Sequence, residues 1–267
     1  MKKQFKLGVI GCSASAVSVL RGVVLSDFIR EKKIIVSDDN EESLDGLNYL
    51  GVKTTLDNKF VAQNSEYLLL AVTPDKFNAV AESIEGVRPE KVISVMEGLT
   101  KSQIKNSLGV GLIKVARAVL NTPCSIGSGA IGIDMLDFNK STDDTDFISN
   151  IFNRLGIIVS LEESKLEAVS ALSGNGIYTL MLIGGLVEAG VKHGLTKNEA
   201  KILAVQSVSG MAELVQQGEK SIDELVMQEC KNSSSIEAVK AFEDGGFRKL
   251  VAQAVEASVL KIKERKE

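Results

Sequence analysis

Gly8-Val9-Ile10-Gly11-Cys12-Ser13-Ala14-Ser15-Ala16 stands between a short apolar run and a helical stretch. That strand–turn–helix setting is where a dinucleotide's pyrophosphate sits in the fingerprint GxGxxG/A. Gly11 supplies the tight turn and Ala16 the close packing of helix on strand. Ser13 replaces the glycine that lets the backbone approach the phosphates. A helix N-terminus offers an anion free N–H groups and the positive end of a dipole, and Ser13 and Ser15 add hydroxyl donors. Gly11, Cys12, Ser13, Ala14, Ser15 and Ala16 are therefore the candidate cofactor loop. The competing reading is a turn that needs glycine for its geometry alone.

The next candidates are Ser37 and Asp38, at the end of the second apolar run. An acid about 20 residues past such a loop holds the adenosine ribose hydroxyls and repels a 2′-phosphate. No arginine stands nearby to favour that phosphate, so NAD(P)H binding with a preference for NADH is expected. The alternative is that Ser37-Asp38-Asp39-Asn40 forms only a polar turn. Other reactive residue types are sparse. The lone histidine, His193, precedes Gly194 at an expected helix end, where a cation is favourable, and reads as structural. Cys12, Cys124 and Cys230 are far apart and form neither a disulfide pattern nor a metal cluster, so no metal is expected. Cys12 and Cys124 read as small buried fillers.

These residues need a scaffold, and the 267-residue chain is long enough for one large or two modest domains. Its formal net charge of −4 gives no basic surface for nucleic acid. The longest apolar run, Tyr178–Val187, is ended by Glu188. That is short of the ~20 residues of a spanning helix, so no membrane partner and a cytoplasmic location are expected. The basic start lacks the apolar core of a signal peptide. Buried strands are expected at residues 6–11, 34–37, 67–72, 92–95, 114–119, 130–133 and 157–161, with helices between, for example at 16–30 and 76–84. The turn at Asn121-Thr122-Pro123 is too short for a helical crossover, which makes the strands flanking it antiparallel. Beyond residue 162 the pattern is helical throughout: 165–172, 177–193, 197–217, 221–229, 235–243 and 247–263. The domains are thus 1–162, dinucleotide-binding, and 163–267, helical. Apolar stripes at 177–191 and 203–214 exceed what one short packing partner covers.

The order of motifs resembles the pyrroline-5-carboxylate reductase family over nearly the whole chain. Beside the glycine loop stand Thr55-Leu56-Asp57-Asn58, like the family's DN segment, and Leu70-Ala71-Val72-Thr73-Pro74, like L-A-V-K-P with Thr73 for lysine. Ile93-Ser94-Val95-Met96-Glu97-Gly98-Leu99-Thr100 is similar to I-S-x-x-A-G-I-T, and Arg117–Pro123 to R-V-M-P-N-T-P with Leu120 for the first proline. Ala171–Gly176 resembles A-L-S-G-S-G, with Ile177-Tyr178-Thr179 where the family has P-A-Y, and Glu188–Lys192 and Glu243–Phe247 also fit. The resemblance implies a Rossmann-like α/β domain followed by an all-helical dimerisation domain. It implies reduction of 1-pyrroline-5-carboxylate to L-proline with NAD(P)H, by a homodimer or higher homo-oligomer with sites formed across its interface. It places the cofactor on Asn58, Ala71, Val72, Thr73 and Pro74 besides the loop. It places the imino-acid substrate on Asn121, Ser173, Gly174, Cys230, Ser233, Ser234 and Ser235, with Ser234 and Ser235 as the catalytic hydroxyls.

Two departures bear on activity. The family's substrate loop S-P-G-G-T-T is here Cys230-Lys231-Asn232-Ser233-Ser234-Ser235: hydroxyls remain at both threonine positions, but both glycines are gone. Lys231 offers a point charge to a carboxylate, or is a solvated loop lysine. Glu97, in place of a small neutral residue, puts an acid near the cofactor. Together with Ser13 these departures keep open a non-catalytic binding or regulatory member of the fold, or a reductase of a different imine or keto acid.

Overall fold

The computed structural model describes residues 3–109, 112–174, 176–231 and 233–264. Asn175 and Asn232, from two of the motifs above, and residues 265–267 lie outside them. Contacts divide the chain into two compact units: residues 1–175 with 258–267, and residues 176–257.

The first unit is built on β1 (Phe5–Ile10), β2 (Ile34–Ser37), β3 (Lys53–Thr55), β4 (Ser65–Leu70), β5 (Lys91–Ser94), β6 (Lys114–Val119), β7 (Gly129–Asp134) and β8 (Gly156–Ser160). They form one sheet in the order β3-β2-β1-β4-β5-β6-β7-β8. Every neighbouring pair is parallel except β6–β7, which is antiparallel as the short turn between them requires. Between them run α1 (Ala14–Leu25), α2 (Glu41–Asp45), α3 (Asn58–Asn64), α4 (Phe77–Ser83), α5 (Lys101–Ser107) and α6 (Thr142–Phe152). The strands are apolar at successive positions because both faces are covered. Leu7, Val9, Tyr67 and Leu69 join the core on one face, while Ile10, Leu68 and Leu70 join that on the other.

Four details differ from the sequence reading. The first helix ends at Leu25, not at residue 30, with Ser26 as its C-cap. The stretch expected as a helix over 76–84 starts as a 3₁₀ turn at Pro74–Lys76 before α4. β3 was not expected; Lys53-Thr54-Thr55 is an edge strand with an exposed or half-buried surface, so it carries no apolar signal. After α7 (Leu166–Val169) the chain makes a π-turn at Ser170–Gly174 instead of continuing as an α-helix. The first unit therefore runs past residue 162, since Leu166 and Ala171 are buried in it and Val169 packs against Gly132.

Buried ions lock the sheet to its helices. Asp144, in the first turn of α6, accepts hydrogen bonds from the Tyr67 hydroxyl of β4 and from Lys91 of β5. On the far strands, Lys101 reaches Asp134 at 2.7 Å, Asp134 also accepts the Glu163 N–H, and Arg117 pairs with Glu163.

The second unit holds α8 (Ile177–Lys192), α9 (Lys197–Gln217), α10 (Ile222–Glu229) and α11 (Ser233–Asp244), with most of α12 (Phe247–Glu264). Thr196 and Glu199 form a capping box that starts α9, and Ser221 and Glu224 another that starts α10. Within this unit α8 and α9 pack closely: a Cβ on Gly190 would sit 3.0 Å from that of Ala200. Their outward sides stay apolar, with Leu180, Met181, Ile202 and Leu203 all exposed. By length and composition alone, the stretch 163–192 would pass for a membrane-spanning helix.

The Asp144 network makes acid stability testable. Burial alone would raise the Asp144 carboxyl, but hydrogen bonds from Lys91 and Tyr67 outweigh it and hold the group at about 2, below its ordinary 3.8. Its stabilisation is therefore full above pH 3.8 and lost as pH falls through about 2. Asp144→Asn is expected to cost about 2 kcal/mol at pH 7 in urea unfolding, with the gap to wild type closing below pH 3. Equal stability at neutral pH would show that the network contributes nothing net.

Candidate functional site

In the first unit, the ends of β1, β2 and β4 meet at a topological switch point: β1 continues outward through β2 on one side, and β4 flanks it on the other. Open α/β sheets bind ligands in the crevice at such a point, outside the carboxyl ends of the strands. A cleft of about 360 Å³ opens there, within the range of small-ligand sites.

The cleft's floor is fixed by the backbone. The Gly11 N–H donates to the Ser37 carbonyl and the Ala71 N–H to the Ile10 carbonyl, joining the three strand ends. Gly11 has φ +100°, and a Cβ there would lie 2.7 Å from the Ala71 carbonyl oxygen. Only glycine fits this position. Ser13 is different. Its φ of −61° and ψ of 163° suit any residue, and its hydroxyl caps α1 by accepting the Ala16 N–H. A serine at the fingerprint's middle position therefore neither strains the loop nor wastes a donor. Among the described residues the N–H groups of Ser13, Ala14 and Ser15 have no protein acceptor. They are what a pyrophosphate requires.

The remaining candidates fall into distinct places. Gly11, Cys12, Ser13, Asp38, Asn58, Ala71, Val72 and Thr73 all line the cleft. Ala16 and Ser37 lie fully buried beneath it. Ser37 acts on the site through Asn58: its hydroxyl donates to Asn58 Oδ1 at 2.7 Å, and Asn58 Nδ2 donates to the Ser83 hydroxyl. Pro74 opens the 3₁₀ turn that follows Thr73. Asp38 holds the loop itself, one oxygen accepting the Cys12 N–H at 2.6 Å and the other the Asn40 N–H at 3.0 Å. Burial and this carboxylate push the Cys12 thiol up to about 12, so it stays protonated. Ala14 and Ser15 turn instead to a second cavity, of about 470 Å³, which also reaches Cys12, Asn121 and Gly174. The glycine loop thus stands between two cavities, one with the expected ribose residues and one with two expected substrate residues. Asn121 is already engaged there, its Oδ1 accepting the Ala130 N–H. Ser173 donates to the Val169 carbonyl.

Three residues lie where sequence spacing did not suggest. Glu97 lines neither cavity; its carboxylate accepts a hydrogen bond from the buried Ser170 hydroxyl of the π-turn. Lys76 and Asp39 complete the cleft wall, and Lys76 Nζ binds both oxygens of Asp39, at 2.9 and 3.2 Å. The Lys76 ammonium holds Asp39 below the usual carboxylate range. Sequence alone offered no signal for this pair, since its partners come from different strand ends. In the second unit the expected substrate loop is largely absent. Cys230 caps α10, Lys231 forms a turn, and Ser233, Ser234 and Ser235 all belong to the first turn of α11. Serine favours helix starts, and the glycines that would keep the segment a loop are missing. His193 caps the end of α8 and lies exposed.

Comparisons with known proteins bear on the fold and the family. A family model described as pyrroline-5-carboxylate reductase dimerisation matches residues 163–265. Another, described as NADP oxidoreductase, coenzyme F420-dependent, matches residues 6–98. The chain is 30% identical to a pyrroline-5-carboxylate reductase of Synechocystis sp. over 259 residues, 95% of each chain. Its structure is similar to that of a pyrroline-5-carboxylate reductase from Coxiella burnetii, with TM-score 0.88 and 28% identity over 99% of this chain and 100% of the other. A Plasmodium falciparum pyrroline carboxylate reductase solved with NADP bound shares the fold, with TM-score 0.86 and 24% identity over the full length of both.

The contrast between the two loop positions can be measured by thermal unfolding. Gly11→Ala is expected to cost about 2 kcal/mol or more, from left-handed strain and the Ala71 overlap. Ser13→Gly is expected to change stability by only about a few tenths of a kcal/mol, since glycine is nearly as good a cap. Equal losses at the two positions would contradict the conformation described for Ser13.

Proposed function

The chain belongs to the pyrroline-5-carboxylate reductase family, and we propose that it reduces 1-pyrroline-5-carboxylate to L-proline with NAD(P)H, favouring NADH. The observation that carries this reading is the set of free N–H groups at Ser13, Ala14 and Ser15, at the head of a glycine turn in an unstrained loop. It answers one of the three supports of the non-catalytic alternative, the serine at position 13, and leaves Glu97 and the two missing loop glycines as the others. Asp38 and Asp39 on the cleft wall support the preference for a cofactor without a 2′-phosphate.

In this reading, the loop holds the pyrophosphate, Asp38 and Asn58 meet the ribose, and Ala71, Val72 and Thr73 form the wall beside it. When bound, the reduced nicotinamide supplies the hydride for the C=N carbon of the substrate. The protein positions the reactants and excludes water. A protonated imine is already electrophilic, so no strong general base is demanded, in keeping with a chain that has one histidine. The first turn of α11 is assigned to the substrate: its N–H groups and the Ser234 hydroxyl to the carboxylate, and the Ser235 hydroxyl to the imine nitrogen. We assign the exposed apolar sides of α8 and α9 to a second copy of the chain, giving a homodimer, in place of the lipid that the 163–192 stretch would otherwise suggest.

Ser235→Ala is expected to lower turnover of pyrroline-5-carboxylate about tenfold, the loss of one hydrogen bond made in the transition state, with NADH affinity unchanged. An unchanged rate would remove Ser235 from this role. Light scattering of the purified protein at micromolar concentration is expected to give twice the chain mass, and a monomeric mass would overturn the assignment of the apolar face.

A further inference from the structure

The cleft wall that would face the adenosine ribose carries three charged groups: Asp38, Asp39 and Lys76. Asp38 is committed to the loop, both of its oxygens accepting backbone N–H groups. Asn58 is committed through both ends of its amide. Among the described residues lining the cleft, Lys76 is the one cation, and Asp39 occupies it through both carboxylate oxygens. Lys76 comes from the 3₁₀ turn after β4, and Asp39 from the turn after β2. The pair therefore bridges the mouth of the cleft at the strand ends where a ribose 2′-substituent is read.

Resting on the dinucleotide reading above, we propose that the Asp39–Lys76 pair is the selectivity device of this site. Among the described residues lining the cleft, Asp39 keeps the one ammonium from a 2′-phosphate. Lys76 in turn neutralises Asp39, so a ribose with a free 2′-hydroxyl meets little net field. Both side chains are more than half exposed, 54% for Lys76 and 69% for Asp39. An exposed pair of this kind is weak, and nothing else bonds the Lys76 ammonium among the described residues. Neutralising Asp39 therefore frees Lys76 to swing to a phosphate without disturbing the fold. The same cleft would then accept the phosphorylated dinucleotide.

The test compares wild type, Asp39→Asn, Lys76→Met and the double variant. Adenosine 2′,5′-bisphosphate and adenosine 5′-monophosphate are titrated by calorimetry, and NADH and NADPH by nicotinamide fluorescence. Asp39→Asn is expected to tighten both 2′-phosphate ligands about tenfold and leave NADH within about threefold, as one charge removed beside a freed ammonium allows. The gain is expected to shrink with added salt and to vanish in the double variant. An unchanged NADPH-to-NADH ratio in Asp39→Asn, or a gain that survives loss of Lys76, overturns the proposal and leaves the dinucleotide reading standing. Failure of every variant to bind any of the four ligands overturns both.

Discussion

The site depends on how closely two backbones pass: Gly11 crosses against the Ala71 carbonyl with no room for a side chain. That approach allows the ends of β1, β2 and β4 to exchange hydrogen bonds beyond their ladders, through Gly11 to Ser37 and Ala71 to Ile10. Because the three strand ends are tied, the turn that follows β1 is aimed, and α1 begins with its free N–H groups at the switch point. Asp38 completes the tie by taking the Cys12 N–H. Ser37 and Asn58 then brace the next wall. The apolar layers on both faces of the sheet make this arrangement rigid, but they do not select it; the glycine does.

Around that crossing the electrostatics are unusual for a phosphate site. The lining of the cleft holds two aspartates and one lysine, and that lysine is already paired. In the proposed reading, attraction for a pyrophosphate would therefore come from backbone dipoles and N–H groups, not from side-chain cations. Elsewhere in the unit, buried carboxylates are matched by cations, Asp144 by the partly buried Lys91 and Asp134 by the buried Lys101. They fix elements in place and leave the site to the loop.

Much of this was legible in the residues. The strand–glycine–helix order, the antiparallel β6–β7 pair and the change to an all-helical pattern each follow from local rules. What escaped was of three kinds. β3 carries no apolar signal, and the short helices α2, α3 and α5 are marked chiefly by their caps, Asn40, Asp57 and Thr100. The effect of Ser13 depended on a backbone angle that residue identity does not give. The Asp39–Lys76 and Glu97–Ser170 contacts join residues distant in sequence, so no spacing rule could anticipate them. The Cys230–Ser235 segment is a subtler case: its hydroxyls match the family pattern, yet the same serines let it wind into α11.

The protonated thiol of Cys12 has a further consequence. It sits on the glycine loop between the two cavities, half-exposed, where a reactive cysteine would be the weak point of the site. With its ionisation pushed up to about 12, the thiol stays protonated at neutral pH. Peroxide and electrophiles attack the thiolate, so this environment lowers the reactivity of the cysteine. Burial, and with it the aspartate that shapes the loop, thereby disfavours the thiolate and keeps the sulfur on the glycine loop in its less reactive form.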